Sequence, residues 1–207
     1  AELGDLLARE EGKTLPEAIG EVVRAGNIFK FFAGEALRIP GEVVPSIRPG
    51  VTVEMTREPV GVIGIITPWN FPSAIPAWKI APALAYGNCV VMKPADLVPG
   101  SSWAIADILA KAGVPAGVFN LVMGRGSVVG EAFLQSKDID AISFTGSVST
   151  GKRVARSAAK ACARSCVESS SPWCSKSARK ESARSLSRFQ LGVAFIGGFP
   201  GSEASMR

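Results

Sequence analysis

The sequence predicts an α/β protein built on a doubly wound parallel sheet, and three observations predict it. From Val60 onward, short runs rich in Val and Ile alternate with stretches of about ten to fourteen residues at helical spacing. The apolar runs are continuous, as in strands covered on both faces. The turns after them, at Lys93-Pro94, Gly124 to Gly126 and Thr145-Gly146-Ser147, lie at carboxyl ends of strands, where such sheets bind ligands.

Residues 2–37 carry apolar residues at helical spacing, with a break at Lys13-Thr14-Leu15-Pro16. Two helices are expected there, the second capped by Thr14. Residues 51–57 alternate as a strand does, and Pro59 separates them from residues 60–66, a β-branched run interrupted by Gly61 and Gly64. That second run reads as a buried strand. After Pro68 the pattern predicts helix 73–86, strand 88–93, helix 101–111 and strand 117–122. It continues with helix 127–135, strand 139–144 and a helix from 148 to about 160. Beyond Cys162 neither period persists, and residues 165–187 hold nine serines among 23. The expected organisation is one ordered unit over residues 1–164 and an irregular tail over 165–207 that forms no domain.

With 207 residues, 47% hydrophobic and 20% charged, the chain has the composition of an ordinary globular protein with one sizeable core. No run of 18 apolar residues is present, and Ala1-Glu2-Leu3-Gly4-Asp5 lacks the basic start of a secretory signal, so a cytoplasmic protein without membrane contact is expected. Four cysteines without metal-ligand spacing, and no histidine, point to structural or incidental thiols and no metal. The net charge of +5 is local. Residues 152–188 hold ten Lys or Arg against two Glu, which leaves the remainder acidic by three. With only Trp173 and Phe189 as aromatics in or beside it, this segment argues against a nucleic-acid partner.

Three motifs carry chemistry. Thr67-Pro68-Trp69-Asn70-Phe71-Pro72, then Lys93-Pro94-Ala95-Asp96, then Phe144-Thr145-Gly146-Ser147, in this order and at these separations, resemble the aldehyde dehydrogenase superfamily, the likeness covering residues 1–164. The resemblance implies an NAD(P)-binding domain and oxidation of a small aldehyde to a carboxylic acid. It makes Asn70 the donor to the oxyanion of a thiohemiacetal, a role that suits a neutral side-chain amide. Locally, Asn70 reads equally as a turn former between two prolines. Ile66 and Trp69 match positions that line the cofactor site.

Lys93 matches the lysine that binds the adenosine ribose, and Asp96 the carboxylate that contacts the same hydroxyls. A carboxylate there repels a 2′-phosphate, which favours NAD over NADP, although an aspartate reaches less far than the commoner glutamate. The plain alternative for both is a solvated loop pair. Gly124, Gly126 and Gly130 follow GxGxxxG rather than GxGxxG, and the resemblance makes Gly126 and Gly130 part of the cofactor site. Gly146 then allows close backbone approach, and Ser147 offers its hydroxyl at a helix N-terminus, where it also serves as an N-cap.

The family's nucleophilic cysteine has no recognisable counterpart. Cys162, Cys166 and Cys174 stand too early, amid Ala, Arg and Ser. The general base falls by position on Glu168, whose context Val167-Glu168-Ser169-Ser170-Ser171-Pro172 departs from the family's Glu-Leu-Gly-Gly. A shifted reading frame would explain the loss: with suitable codons, one added base turns Pro172-Trp173-Cys174-Ser175 into Pro-Val-Val-Leu, a stretch typical of the family. The nucleotide sequence decides that hypothesis. Residues 31–35, 75–88 and 93–100 are similar to the 2-oxoglutarate semialdehyde (2,5-dioxopentanoate) dehydrogenase group, with succinate-semialdehyde dehydrogenases the near alternative. A homo-oligomer is expected for the intact family, residues 51–57 resembling part of its oligomerisation strands. The competing reading is a catalytically silent cofactor-binding or subunit-pairing protein.

Overall fold

The computed structural model describes residues 1–160 and 164–169. Two helices open the chain, α1 (Glu2–Glu11) and α2 (Leu15–Ala36). They part where the sequence breaks. Gly12 closes α1 in the left-handed conformation (φ 84°), and Thr14 stands at the N-cap of α2. There the Thr14 N–H and hydroxyl both donate to the Glu17 carboxylate, at 3.2 and 2.8 Å.

β1 (Glu42–Pro45) and β2 (Thr52–Met55) form a separate antiparallel pair, every position of which is exposed. Only β2 was legible in the sequence. β1 is four residues long and ends in Pro45, so it offers too short a run to show a period.

The main sheet contains β3 (Val62–Ile66), β4 (Cys89–Lys93), β5 (Phe119–Leu121), β6 (Ala141–Gly146) and β7 (Arg164–Ser169), in the order β5-β4-β3-β6-β7. All four pairings are parallel. The chain winds outward from β3 to β5, returns, and continues from β6 to β7, which is the doubly wound topology with its switch point between β3 and β6. β7 carries the sheet past residue 164, so residues 165–169 are strand where an irregular tail was expected. The signal was weak because Cys166 and Val167 are the only apolar residues within it. The expectation for 170–207 lies outside the described residues.

Helices α3 (Ala74–Ala85), α4 (Pro99–Lys111), α5 (Gly126–Gln135) and α6 (Val148–Lys160) connect the strands. Strand side chains alternate between faces, and the cores sort accordingly. Ile65, Val90 and Met92 pack against Ile80 and Ala83 of α3 and Ile105 and Leu109 of α4. Ile142 and Phe144 pack on the other face with Val154 of α6, Ile66 and Leu134. α2 lies on α3 through Ala25, Ile28 and Phe32 against Ala77 and Ala81. Full burial of side chains such as Ile65 or Met92 contributes about 1.5–3 kcal/mol each. Among the described residues, no helix is long and apolar enough to cross a membrane.

Asn88 shows how local chemistry sets the sheet. Its Oδ1 accepts the N–H groups of Val60 and Gly61 at 2.6 and 3.1 Å, while Nδ2 donates to the Ala83 carbonyl at 3.1 Å. One buried amide thus ties the entry of β3 to the end of α3, and starts β3 and β4 in register.

Candidate functional site

In a parallel sheet every strand ends on the same edge, and the N-termini of the helices that follow point their unpaired N–H groups there. The structure places Asn70 after β3, Lys93 and Asp96 at the end of β4, Gly126 after β5, and Gly146 and Ser147 at the end of β6, all along this edge. Ile66 is the last residue of β3 and pairs in register with Lys93 on one side and Phe144 on the other. Trp69 and Asn70 are exposed in the loop before α3. In register, Glu168 lies opposite Thr145, toward the same edge.

Lys93 is 4% exposed, and its Nζ donates to Asp96 at 2.5 Å. The carboxylate is nearly half exposed, so the pair is anchored by a buried ammonium and presented by an accessible acid. Beside it a cleft of about 280 Å³ opens between Asp96 and Pro99 on one wall and Met123 and Arg125 on the other. A Cβ built on Gly126 would stand 3.7 Å from Lys93 Nζ, and one on Gly130 would meet nothing within 4 Å. At Gly146 the space belongs to the protein itself, since an added Cβ would lie 2.7 Å from the Phe144 ring.

Among the described residues, four helices present N-termini to this edge, and two are already filled. At α3, Glu21 Oε1 accepts the N–H groups of Ser73 and Ala74 at 2.8 and 3.0 Å. At α4, Glu10 accepts the N–H groups of Gly100 and Ser101 at 2.6 and 2.7 Å, and the Ser101 hydroxyl at 2.6 Å. Carboxylates reaching in from α2 and α1 thus take the places that would otherwise suit an anionic ligand. At α6, by contrast, Ser147 is exposed. Its hydroxyl accepts the Thr150 N–H at 3.4 Å and exchanges contacts with Ser149 and Thr150 hydroxyls at 3.2 and 3.0 Å. Ser147 is an N-cap, as the plain reading holds, within a cluster of three hydroxyls. Among the described residues, no carboxylate is one of its hydrogen-bond partners.

Sequence reasoning missed Glu10, Lys13 and Glu21. One signal was available: Glu21 shares the inward stripe of α2 with Ala18, Ala25, Ile28 and Phe32, and a charge on a buried stripe needs partners. Thr67, the residue after β3, is 4% exposed, and its hydroxyl has no partner among the described residues. Among the described residues, no group of three or more His, Cys, Asp or Glu could hold a metal ion.

Comparison with known proteins agrees with the fold. The sequence pattern of the "Aldehyde dehydrogenase family" matches residues 1–172. The chain is 48% identical over 149 residues to the 2,5-dioxopentanoate dehydrogenase of Saccharolobus solfataricus, covering 72% of this chain and 31% of that protein. It is 48% identical over 157 residues to the alpha-ketoglutaric semialdehyde dehydrogenase of Bacillus subtilis, covering 76% and 32%. Among solved structures, an NADP-dependent enzyme of E. coli superposes with a TM-score of 0.80 at 38% identity, over 82% of this chain and 35% of that one. Betaine aldehyde dehydrogenase from Staphylococcus aureus in complex with NAD+ gives 0.78 at 38%, over 80% and 33%. The chain spans about a third of the length of the curated relatives it matches.

Proposed function

We propose, given that this chain belongs to the aldehyde dehydrogenase family, that it forms the cofactor-binding and oxyanion-stabilising part of an NAD-dependent semialdehyde dehydrogenase. The observation that carries this reading is the alignment of Asn70, Lys93, Asp96 and Ser147 along one edge of a parallel sheet. The residues fit the cofactor. The buried Lys93 and the accessible Asp96 suit a diol such as the adenosine ribose, one donating and the other accepting. Glu21 and Glu10 close α3 and α4 to anions, and of the two helix N-termini left the family resemblance assigns the diphosphate to α6, where Ser147 and the unpaired N–H groups are open. Ile66 and Trp69 flank the site from the end of β3, and Gly126 and Gly130 belong to it by the family resemblance, Gly126 lying beside Lys93.

When bound, the cofactor supplies hydride acceptance. Asn70 contributes a neutral amide donor for the oxyanion of the aldehyde adduct, an effect of about 3–4 kcal/mol on a transition state. That donor cannot replace a covalent nucleophile, and none of Cys89, Cys162, Cys166 or Cys174 is assigned that role. Glu168 is the candidate base by position alone. The substrate class is a small acidic semialdehyde, 2,5-dioxopentanoate before succinate semialdehyde, as the names of the relatives support. The whole reaction, and the homo-oligomer expected for it, belong to the longer framework of those relatives. The second reading is a silent cofactor-binding or subunit-pairing chain, and an activity assay separates the two.

Titration with NAD and NADP tests the cofactor assignment. NAD should bind more tightly than NADP, and Asp96→Asn should narrow the gap by removing the repulsion of the 2′-phosphate. Lys93→Ala should weaken both by about tenfold or more, the loss of a charge-assisted hydrogen bond. Equal affinity of the parent and Lys93→Ala chains would overturn the assignment. In an assay of NADH formation with 2,5-dioxopentanoate, the chain should show no turnover above background. Turnover that disappears on changing Cys162, Cys166 or Cys174 to Ser would instead identify a thiol nucleophile.

A further inference from the structure

We propose that Lys13 and Glu21 form a clamp that positions Asn70, an inference that rests on the reading of Asn70 as oxyanion donor. The Asn70–Ala74 segment is held at both ends by a single ion pair. Glu21 Oε1 accepts the Ser73 and Ala74 N–H groups, which fixes the start of α3. Glu21 Oε2 accepts from Lys13 Nζ at 2.6 Å, and the same ammonium donates to the Asn70 carbonyl at 3.2 Å. Lys13 also lies 4.5 Å from the centroid of the Phe71 ring. Its distance to Glu11, 2.7 Å, makes an ion pair, although the contact is off the hydrogen-bonding direction.

Burial separates this arrangement from an ordinary surface salt bridge. The side chains of Lys13 and Glu21 are 12% and 3% exposed. A buried pair is a poor source of stability beside the apolar residues that could replace it, and Glu21 stands on a helical stripe that is otherwise Ala, Ile and Phe. What an apolar residue could not supply is one acceptor oxygen that takes two N–H groups of the loop and a cation aimed at the Asn70 carbonyl. The clamp grips only the backbone. The Asn70 side-chain amide makes no hydrogen bond among the described residues, and so remains available to a ligand while its Cα is fixed. Preorganised donors of this kind depend on placement to within about half an ångström.

The test uses the full 207-residue chain labelled with nitrogen-15. The Asn70 side-chain resonances are identified by their disappearance in Asn70→Asp, and Lys13→Met and Glu21→Gln are compared with the parent. In both variants these resonances should shift or broaden, and the Ser73 and Ala74 amides should exchange about tenfold faster or more in Glu21→Gln. Val90 and Met92 amide protection should stay unchanged, since no clamp residue touches β4. Unchanged Asn70 resonances in both variants would overturn the proposal, as would protection lost uniformly at Ser73, Ala74, Val90 and Met92. Should Glu21→Gln fail to fold, Lys13→Met decides alone, because Lys13 bonds neither Ser73 nor Ala74. A chain that does not bind NAD defeats the cofactor reading only, because the resonances are measured without cofactor.

Discussion

Single residues here gain their weight from the groups they leave unpaired when changed. Glu10 satisfies two backbone N–H groups and a hydroxyl at the head of α4. Glu10→Gln keeps one acceptor oxygen and loses the charge, so urea unfolding should show a loss of about 1–3 kcal/mol. The glycines offer a matched contrast. Gly146→Ala drives a methyl to 2.7 Å from the ring of Phe144, which is 2% exposed and has little room to yield. A loss of about 1–3 kcal/mol is expected. Gly20, inside α2, has nothing within 4 Å of an added Cβ, so Gly20→Ala should raise stability by about 0.5–1 kcal/mol. A pair of thermal melts distinguishes the signs.

Among the elements, α2 carries a built-in response to acid. The Thr14 hydroxyl, and then its N–H, hold the Glu17 carboxyl below its ordinary value, with Lys13 adding to the shift and desolvation opposing it. A depressed folded value means the contribution is complete above the ordinary carboxylate range and is lost as pH falls through the folded value. The helicity of the parent should therefore decline on acidification more than that of Glu17→Gln, followed by circular dichroism. Identical profiles would remove Glu17 from the account. The start of this helix was legible because Thr14 and Pro16 stand together at the break in the apolar pattern, whereas the partnership of Thr14 with Glu17 came from the structure. The strands of the main sheet up to β6 were legible because burial on both faces leaves continuous apolar runs. β1 and β7 were not, being short or nearly devoid of apolar residues. Of the site, the motif residues could be placed at one edge from their order alone. The carboxylates that close α3 and α4 could not, because each acts on amides more than 50 residues away.

At the scale of the molecule, the order β5-β4-β3-β6-β7 puts the earliest strand of the main sheet at its centre. β3 therefore supports both faces, and β4 beside it supplies Val90 and Met92 to the larger core. Met92→Ala should cost about 2–5 kcal/mol in equilibrium unfolding, because the surrounding helices relax only partly around the space left. The two carboxylate plugs have a different consequence, one of timing. Glu10 meets Ser101 across 91 positions and Glu21 meets Ser73 across 52. Closing loops of that length is entropically costly until strands and helices are already in place, so these contacts are expected to form on the native side of the folding barrier. Stopped-flow chevrons of Glu10→Gln and Glu21→Gln should then show steeper losses in the unfolding arm, with refolding rates almost unchanged. On that outcome the hairpin of α1 and α2 is a latch that sets how long the folded chain persists rather than how quickly it forms.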